Sequence, residues 1–122
     1  MKGLVMKALF VLNDPPYGSE RVYNALRLAQ ALLKKETQAE VTVFLMADSV
    51  IAAKAGQKTP DGYYNTERML ARLLAGNGKV LLCGTCMDAR GLDDKALMNG
   101  PRRSTMDELA AAALDADKVF VF

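Results

Sequence analysis

Lys7-Ala8-Leu9-Phe10-Val11-Leu12 carries one charge followed by five apolar residues, with no polar alternation. Such a run suits a strand covered on both faces, as strands of parallel sheets are. It belongs to an apolar stretch from Leu4 to Leu12 and closes at Asn13-Asp14-Pro15-Pro16-Tyr17-Gly18, a turn composition. Three further short runs of the same kind follow: Val41 to Met46, Val80 to Cys83 and Val119 to Phe122. Each connection between them is long enough for a helix, which is the pattern of a parallel sheet.

The helices have readable boundaries. Ser19 can cap a helix with the stripe Val22, Ala25, Leu26, Ala29, Leu32, Leu33. Asn65 or Thr66 precedes a second stripe, Met69, Leu70, Leu73, Leu74, which stops at Gly76. Thr105-Met106-Asp107-Glu108 fits a capping box for a helix over Leu109 to Ala116, and Ala47 to Ala55 suits a shorter one. The reading is a single domain over residues 1–122: a three-layer α/β sandwich with a parallel, mostly buried sheet of four to five strands in a flavodoxin-like winding. With right-handed crossovers, the functional crevice lies at the carboxyl ends of the strands. Asn13 to Gly18, Ala47 to Tyr64 and Cys83 to Asp88 emerge there.

Composition narrows the partners. Sixteen basic and 14 acidic residues give a net charge of +2, spread along the chain. That balance argues against direct nucleic-acid binding, which needs a concentrated basic patch. The densest basic pair, Arg102-Arg103, follows Gly100-Pro101 and reads as a solvated loop. No segment has the roughly 20 apolar residues of a membrane span, and the N-terminal run lacks a cleavage site. The expected setting is the cytoplasm, with reduced thiols.

The chemistry centres on Val80-Leu81-Leu82-Cys83-Gly84-Thr85-Cys86-Met87-Asp88-Ala89-Arg90-Gly91, which holds both cysteines of a chain without histidine. Cys83 closes a strand; Cys86 falls in or just before the first turn of a short helix toward Arg90. A helix N-terminus favours thiolate over thiol. Gly84 permits a tight turn, Thr85 can donate to a sulfur, and Arg90, Lys95 or Arg102 can add positive charge. Plain core packing is the competing reading, since cysteine is among the most buried residue types. Two thiols without histidine do not make a zinc site, and no metal or cofactor is expected. Nucleophilic hydrolysis lacks a base, and nothing like the aromatic-flanked thioredoxin motif is present. Sulfur carriage, which needs only an exposed low-pKa cysteine and a docking surface, fits the inventory best.

Three segments carry a resemblance to a known family. The first is Ala8 to Asn13 with Asp14-Pro15-Pro16-Tyr17-Gly18-Ser19-Glu20, running into Ala25-Leu26-Arg27-Leu28-Ala29. The second is Cys83 followed seven and eight places later by Arg90-Gly91. The third is the Thr105-Met106-Asp107-Glu108-Leu109 helix leading to Asp117-Lys118-Val119-Phe120-Val121-Phe122. Together they resemble the DsrE/DsrF-like family of TusD- and YchN-type sulfur-relay proteins. The resemblance implies a compact parallel α/β domain assembling as a homotrimer or homohexamer. It also implies sulfur donor and acceptor proteins as partners, and a persulfide formed on Cys83. Cys86 is an extra thiol relative to TusD-like chains, suited to resolving or protecting Cys83.

Other residues have two readings each. Tyr17 is set near the crevice by Pro15-Pro16, either covering the sulfur site or packing. Asp48 is a helix cap or a site residue. Tyr63-Tyr64 suggests an interface or lid, and Met69, Met87, Met98 and Met106 read as core or interface filler. Asn13 to Gly18 lacks the glycine and hydroxyl density of a phosphate loop, and Asp14 and Glu20 would repel phosphate. The alternatives to a sulfur carrier are a non-catalytic binding or regulatory oligomer with redox-sensitive or structural cysteines, and a CxxC dithiol oxidoreductase.

Overall fold

Strand β1 occupies Lys7–Leu12 and lies between two parallel neighbours. The computed structural model describes residues 5–36 and 38–122, so Leu4 falls outside the described residues. After β1 come α1 (Arg21–Lys35), β2 (Glu40–Leu45), a 3-10 helix (Ala47–Ala53), α2 (Thr66–Ala75), β3 (Lys79–Cys83) and α3 (Gly84–Ala89). A short 3-10 turn (Asp94–Ala96), β4 (Arg102–Ser104), α4 (Met106–Asp115) and β5 (Lys118–Val121) complete the chain. The sheet is parallel throughout, in the order β4-β3-β2-β1-β5. Helices on both faces of an open parallel sheet make it doubly wound. The order differs from the 2-1-3-4-5 of flavodoxin in placing β5 beside β1.

Alternate residues of each strand supply the two faces. Ala8, Phe10, Leu12, Val41, Val43, Leu45, Val80 and Leu82 pack against Val22, Ala25, Leu26 and Ala29 of α1 and Leu70 and Leu73 of α2. Fully burying a side chain such as Phe10 contributes roughly 1.5–3 kcal/mol, so this layer holds most of the core energy. The opposite face presents Leu9, Phe44, Leu81 and Cys83, met by Leu109 and Ala112 of α4 and by Ala116. That cover is thin: α4 buries no residue completely, and Met106, Leu114, Val119 and Val121 are left exposed.

Two local expectations change. Arg102-Arg103 is not a solvated loop; with Ser104 it forms the edge strand β4, paired in register with Leu81 to Cys83. An edge strand needs one ladder only, and its charged side chains stay in water, so apolar alternation was absent. Helix α1 starts at Arg21 with Glu20 as its cap residue, and no side chain caps it. Ser19 lies one place earlier, where its Oγ donates to Asp14 (2.9 Å) and accepts from the Arg21 N–H (3.3 Å). Among the described residues no helix is long and apolar enough to cross a membrane.

Candidate functional site

The carboxyl end of β3 runs into α3 without a loop, so Cys83 is both the last strand residue and the helix cap. Its extended backbone (φ −63°, ψ 116°) points the side chain back over the first turn. There the Cys86 N–H donates to Cys83 Sγ at 3.4 Å, and the Thr85 hydroxyl lies 3.2 Å from the same sulfur. Cys86 thus sits third in α3, within its first turn, as its position suggests. Gly91, in the left-handed region at φ 64°, turns the chain away after Arg90.

Close packing of β4 explains Gly84. A Cβ there would lie 2.9 Å from Arg103 Nη1, 3.1 Å from its Cγ and 3.2 Å from the Ser104 carbonyl oxygen. The Arg103 guanidinium donates to the Gly84 carbonyl (3.1 Å) and pairs with Asp88 (3.0 Å) and Asp94 (3.2 Å). It therefore ties β4 to both α3 and the following turn.

The two thiols are electrically unequal. Burial opposes ionisation of Cys83. Hydrogen bonds from the Cys86 thiol, the Thr85 hydroxyl and the backbone N–H groups of Cys86 and Thr85 outweigh it and hold the pKa below that of a free thiol. Burial and the bond to Cys83 push the Cys86 thiol up, against the Ala47 N–H and the Arg90 charge. Ala47 reaches that position with a positive φ of 50°, uncommon for alanine. Both cysteines are free thiols.

Cys83 is not the exposed cysteine that sulfur carriage suggests. Only 6% of it is accessible. It forms part of the wall of a cavity of about 400 Å³ shared with Gly84, Thr85, Asp88, Arg103, Ser104, Thr105 and Met106. The strand's end and the helix turn bury its body, while the cavity offers a route to it.

Of the residues singled out from sequence, Cys83, Gly84, Thr85 and Cys86 come together. Asp48 does not cap with its side chain but pairs with Arg90 (Nε–Oδ1 2.9 Å), whose Nη1 donates to the Cys86 carbonyl (3.1 Å). These two brace α3 from behind. Tyr17 lies elsewhere: its hydroxyl accepts the Thr66 N–H (3.0 Å) and bonds Gln57, and its ring neighbours Tyr63 and Tyr64. Tyr64, whose hydroxyl faces the Pro16 and Ser19 carbonyls, is pushed up to about 12, first by burial and then by Tyr63. Among the described residues no three His, Cys, Asp or Glu side chains converge on a metal-sized site.

A model of the DsrE/DsrF-like family matches residues 6–122. The chain belongs to that family. Protein YchN of Escherichia coli K12 is 45% identical over 118 residues, spanning 97% of this chain and all of the relative. An uncharacterized protein of Methanocaldococcus jannaschii is 35% identical over 117 residues, 96% of this chain and 100% of its own length. The crystal structure of E. coli YchN superposes with a TM-score of 0.91, covering 96% of this chain and 99% of that one. A Methanobacterium thermoautotrophicum protein of unknown function shares the fold alone, at 12% identity and a TM-score of 0.80 over 96% and 99% of the two chains.

In this DsrE/DsrF-like chain the cavity wall facing Cys83 comes from residues that sequence reasoning passed over: Arg103, Ser104, Thr105 and Met106. Lys95 and Arg102 were the cations expected to fold back, yet Arg102 is held by Glu108 (2.6 Å) and Arg103 takes the place. The signal was the capping residue Thr105, whose Oγ1 accepts the Glu108 N–H (3.1 Å) as a box would have it. Glu108 does not reach back to Thr105; its carboxylate takes Ser104 Oγ and Arg102 instead, pinning β4. Glu108 is consequently lowered to about 2, by Arg102 first and Ser104 second.

Proposed function

We propose that this protein carries sulfane sulfur on Cys83. The supporting observation is the pair of hydrogen bonds from the Thr85 hydroxyl and the Cys86 N–H to Cys83 Sγ, which favours the thiolate on one cysteine of the two. The thiolate attacks the outer sulfur of a donor persulfide. The donor's S–S bond breaks, its inner sulfur leaves as a thiolate, and Cys83 holds the outer sulfur as a persulfide. An acceptor thiolate then attacks that outer sulfur and returns Cys83 as a thiolate. No net oxidation occurs, so neither metal nor cofactor is called for. Cys86, whose thiol is pushed up by burial first and then by Cys83, serves as the second thiol.

Burial of Cys83 limits the donor to a group that can enter the 400 Å³ cavity past Arg103 and Met106. Met106 and Leu114 of α4 and Val119 and Val121 of β5 are apolar and left exposed, which favours a homo-oligomer; trimer or hexamer is what the family resemblance implies. The cytoplasm, where thiols stay reduced, suits this chemistry.

Incubation with a cysteine desulfurase and cysteine, followed by peptide mass analysis, tests the proposal. A gain of about 32 Da on the Cys83 peptide, removed by reductant, is expected. Cys83→Ser abolishes it and Cys86→Ser retains it. An unmodified wild-type protein refutes the carrier reading. Two free thiols three residues apart in the first turn of α3 also favour a second reading, a dithiol oxidoreductase, which requires instead a reversible Cys83–Cys86 disulfide that turns over substrate dithiols.

A further inference from the structure

We infer that the seam between α1 and α2 is a second site, binding a phosphorylated nucleoside with its flat base against the tyrosines and its phosphates on Arg27, Arg68 and Arg72. All four tyrosines of the chain gather at one end of this seam. Tyr64 lies 4.4 Å from Tyr23, 4.6 Å from Tyr63 and 5.4 Å from Tyr17, centroid to centroid. Tyr63 is half exposed and offers a ring edge and face to a ligand. Stacked aromatic faces accept any nucleobase, because every base has a flat π-face.

The charges beside them are uncompensated. Arg21, Arg90, Arg102 and Arg103 are each bonded to a carboxylate. Arg27, Arg68 and Arg72 have no carboxylate partner among the described residues, and all three line one cavity of about 410 Å³ with Tyr23, Tyr63 and Tyr64. Among the described residues no acidic side chain lines it. Arg68 and Arg72 stand one turn apart on α2, and the Arg27 guanidinium lies 5.2 Å over the Tyr23 ring and donates one bond, to the neutral Asn24 Oδ1 (3.0 Å). Guanidinium groups lining one cavity without counter-charge suit an anion, and phosphate oxygens match their fork geometry.

The seam continues past the arginines. An adjoining cavity of about 280 Å³ shares Arg27, Met69 and Arg72 and adds Lys34 and Gln30. Gln30 Oε1 is buried there with no hydrogen-bond partner among the described residues. That acceptor is closed to solvent and lies beyond the arginines from the tyrosines, so it takes no part in the site. A bare anion would leave the tyrosines unused, and a neutral ring would leave the arginines unused. The site is separate from Cys83, so its test does not depend on the sulfur reading.

The full chain is titrated calorimetrically with adenosine triphosphate, inorganic tripolyphosphate and adenosine. Because the chain has no tryptophan, its near-ultraviolet circular dichroism reports chiefly on these four tyrosines. Saturable triphosphate binding with a change in the tyrosine bands is expected, with tripolyphosphate and adenosine each about tenfold weaker or more. The exposed pair Arg68→Ala, Arg72→Ala weakens it by a similar factor at unchanged Tm, and Cys83→Ser leaves it unaltered. Absent saturation at millimolar ligand, equal binding of tripolyphosphate, or an unaffected double variant would each overturn the inference. So would a short single-stranded RNA binding tenfold tighter than the nucleotide, which would reassign the seam to nucleic acid.

Discussion

Replacing Thr85 by valine removes the hydroxyl from Cys83 Sγ while keeping the side chain's shape. A hydrogen bond to a charged group is worth about 1.5–3 kcal/mol. Thr85 is exposed, so water screens the contact and the lower end applies. About 1.4 kcal/mol corresponds to one pKa unit, so the Cys83 pKa should rise by about one. The sign is fixed by the charge: losing a donor to the thiolate disfavours the ionised form. Below both pKa values the thiolate fraction falls about tenfold. A more basic sulfur is also more nucleophilic, and with a Brønsted coefficient of about 0.5 the alkylation rate falls only about threefold. The measurement is a pH titration of thiolate ultraviolet absorbance in a Cys86→Ser background, where one thiol titrates. Thr85→Ser keeps the hydroxyl and should keep the wild-type midpoint. Valine and threonine have similar helix propensities, so Tm should hardly move. A midpoint that is unchanged, or lower, in Thr85→Val would refute the assignment of Thr85 as a thiolate donor.

Other consequences follow from the same geometry. Gly84→Ala gains up to about 1 kcal/mol of helix propensity but overpacks β4 by about 1–3 kcal/mol, because the Ser104 carbonyl 3.2 Å away is backbone and cannot swing aside. A net loss of about 1 kcal/mol in denaturant unfolding is expected, and a gain would show that β4 yields freely. Asn65→Ala deletes the acceptor for the Arg68 N–H and the bond from Nδ2 to the Gln57 carbonyl, costing about 1–2 kcal/mol. For a chain of this length Tm should drop about 4–8 °C, and a drop under about 1 °C would contradict the cap. Val121→Asp places a charge on the exposed β5 face; sedimentation should show the wild-type oligomer dissociating with the fold retained. A wild-type monomer would remove the case for assembly.

The sequence carried the alternation of strands and helices because each run is long or strongly patterned. The β1 bounds agree residue for residue, and the Asn65 and Thr105 caps accept from Arg68 and Glu108 as their spacing implies. Strand β4 was illegible because three residues on an edge need no hydrophobic face, and that omission hid Arg103 and half of the cavity beside Cys83. Cys86 and Cys83 looked interchangeable from spacing; the helix cap distinguishes them, because only the cap sulfur faces the free N–H of the first turn. Of the tyrosine and arginine seam only the pair Tyr63-Tyr64 stood out, as an interface or lid. Tyr17, Tyr23 and the adjacent pair Tyr63-Tyr64 lie on three separate segments, and only tertiary packing of α1 on α2 brings them together with Arg27, Arg68 and Arg72.

The sulfur reading rests most directly on where the sulfur goes after loading. Protein loaded with isotopically labelled sulfur, freed of donor and mixed with an acceptor thiol in a single turnover, should pass the label to the acceptor as a persulfide. Cys83 and Cys86 should then both return to free thiols at the unloaded mass. Label released as sulfide, with the protein about 2 Da lighter through a Cys83–Cys86 disulfide, would contradict carriage and make the pair a reductive couple.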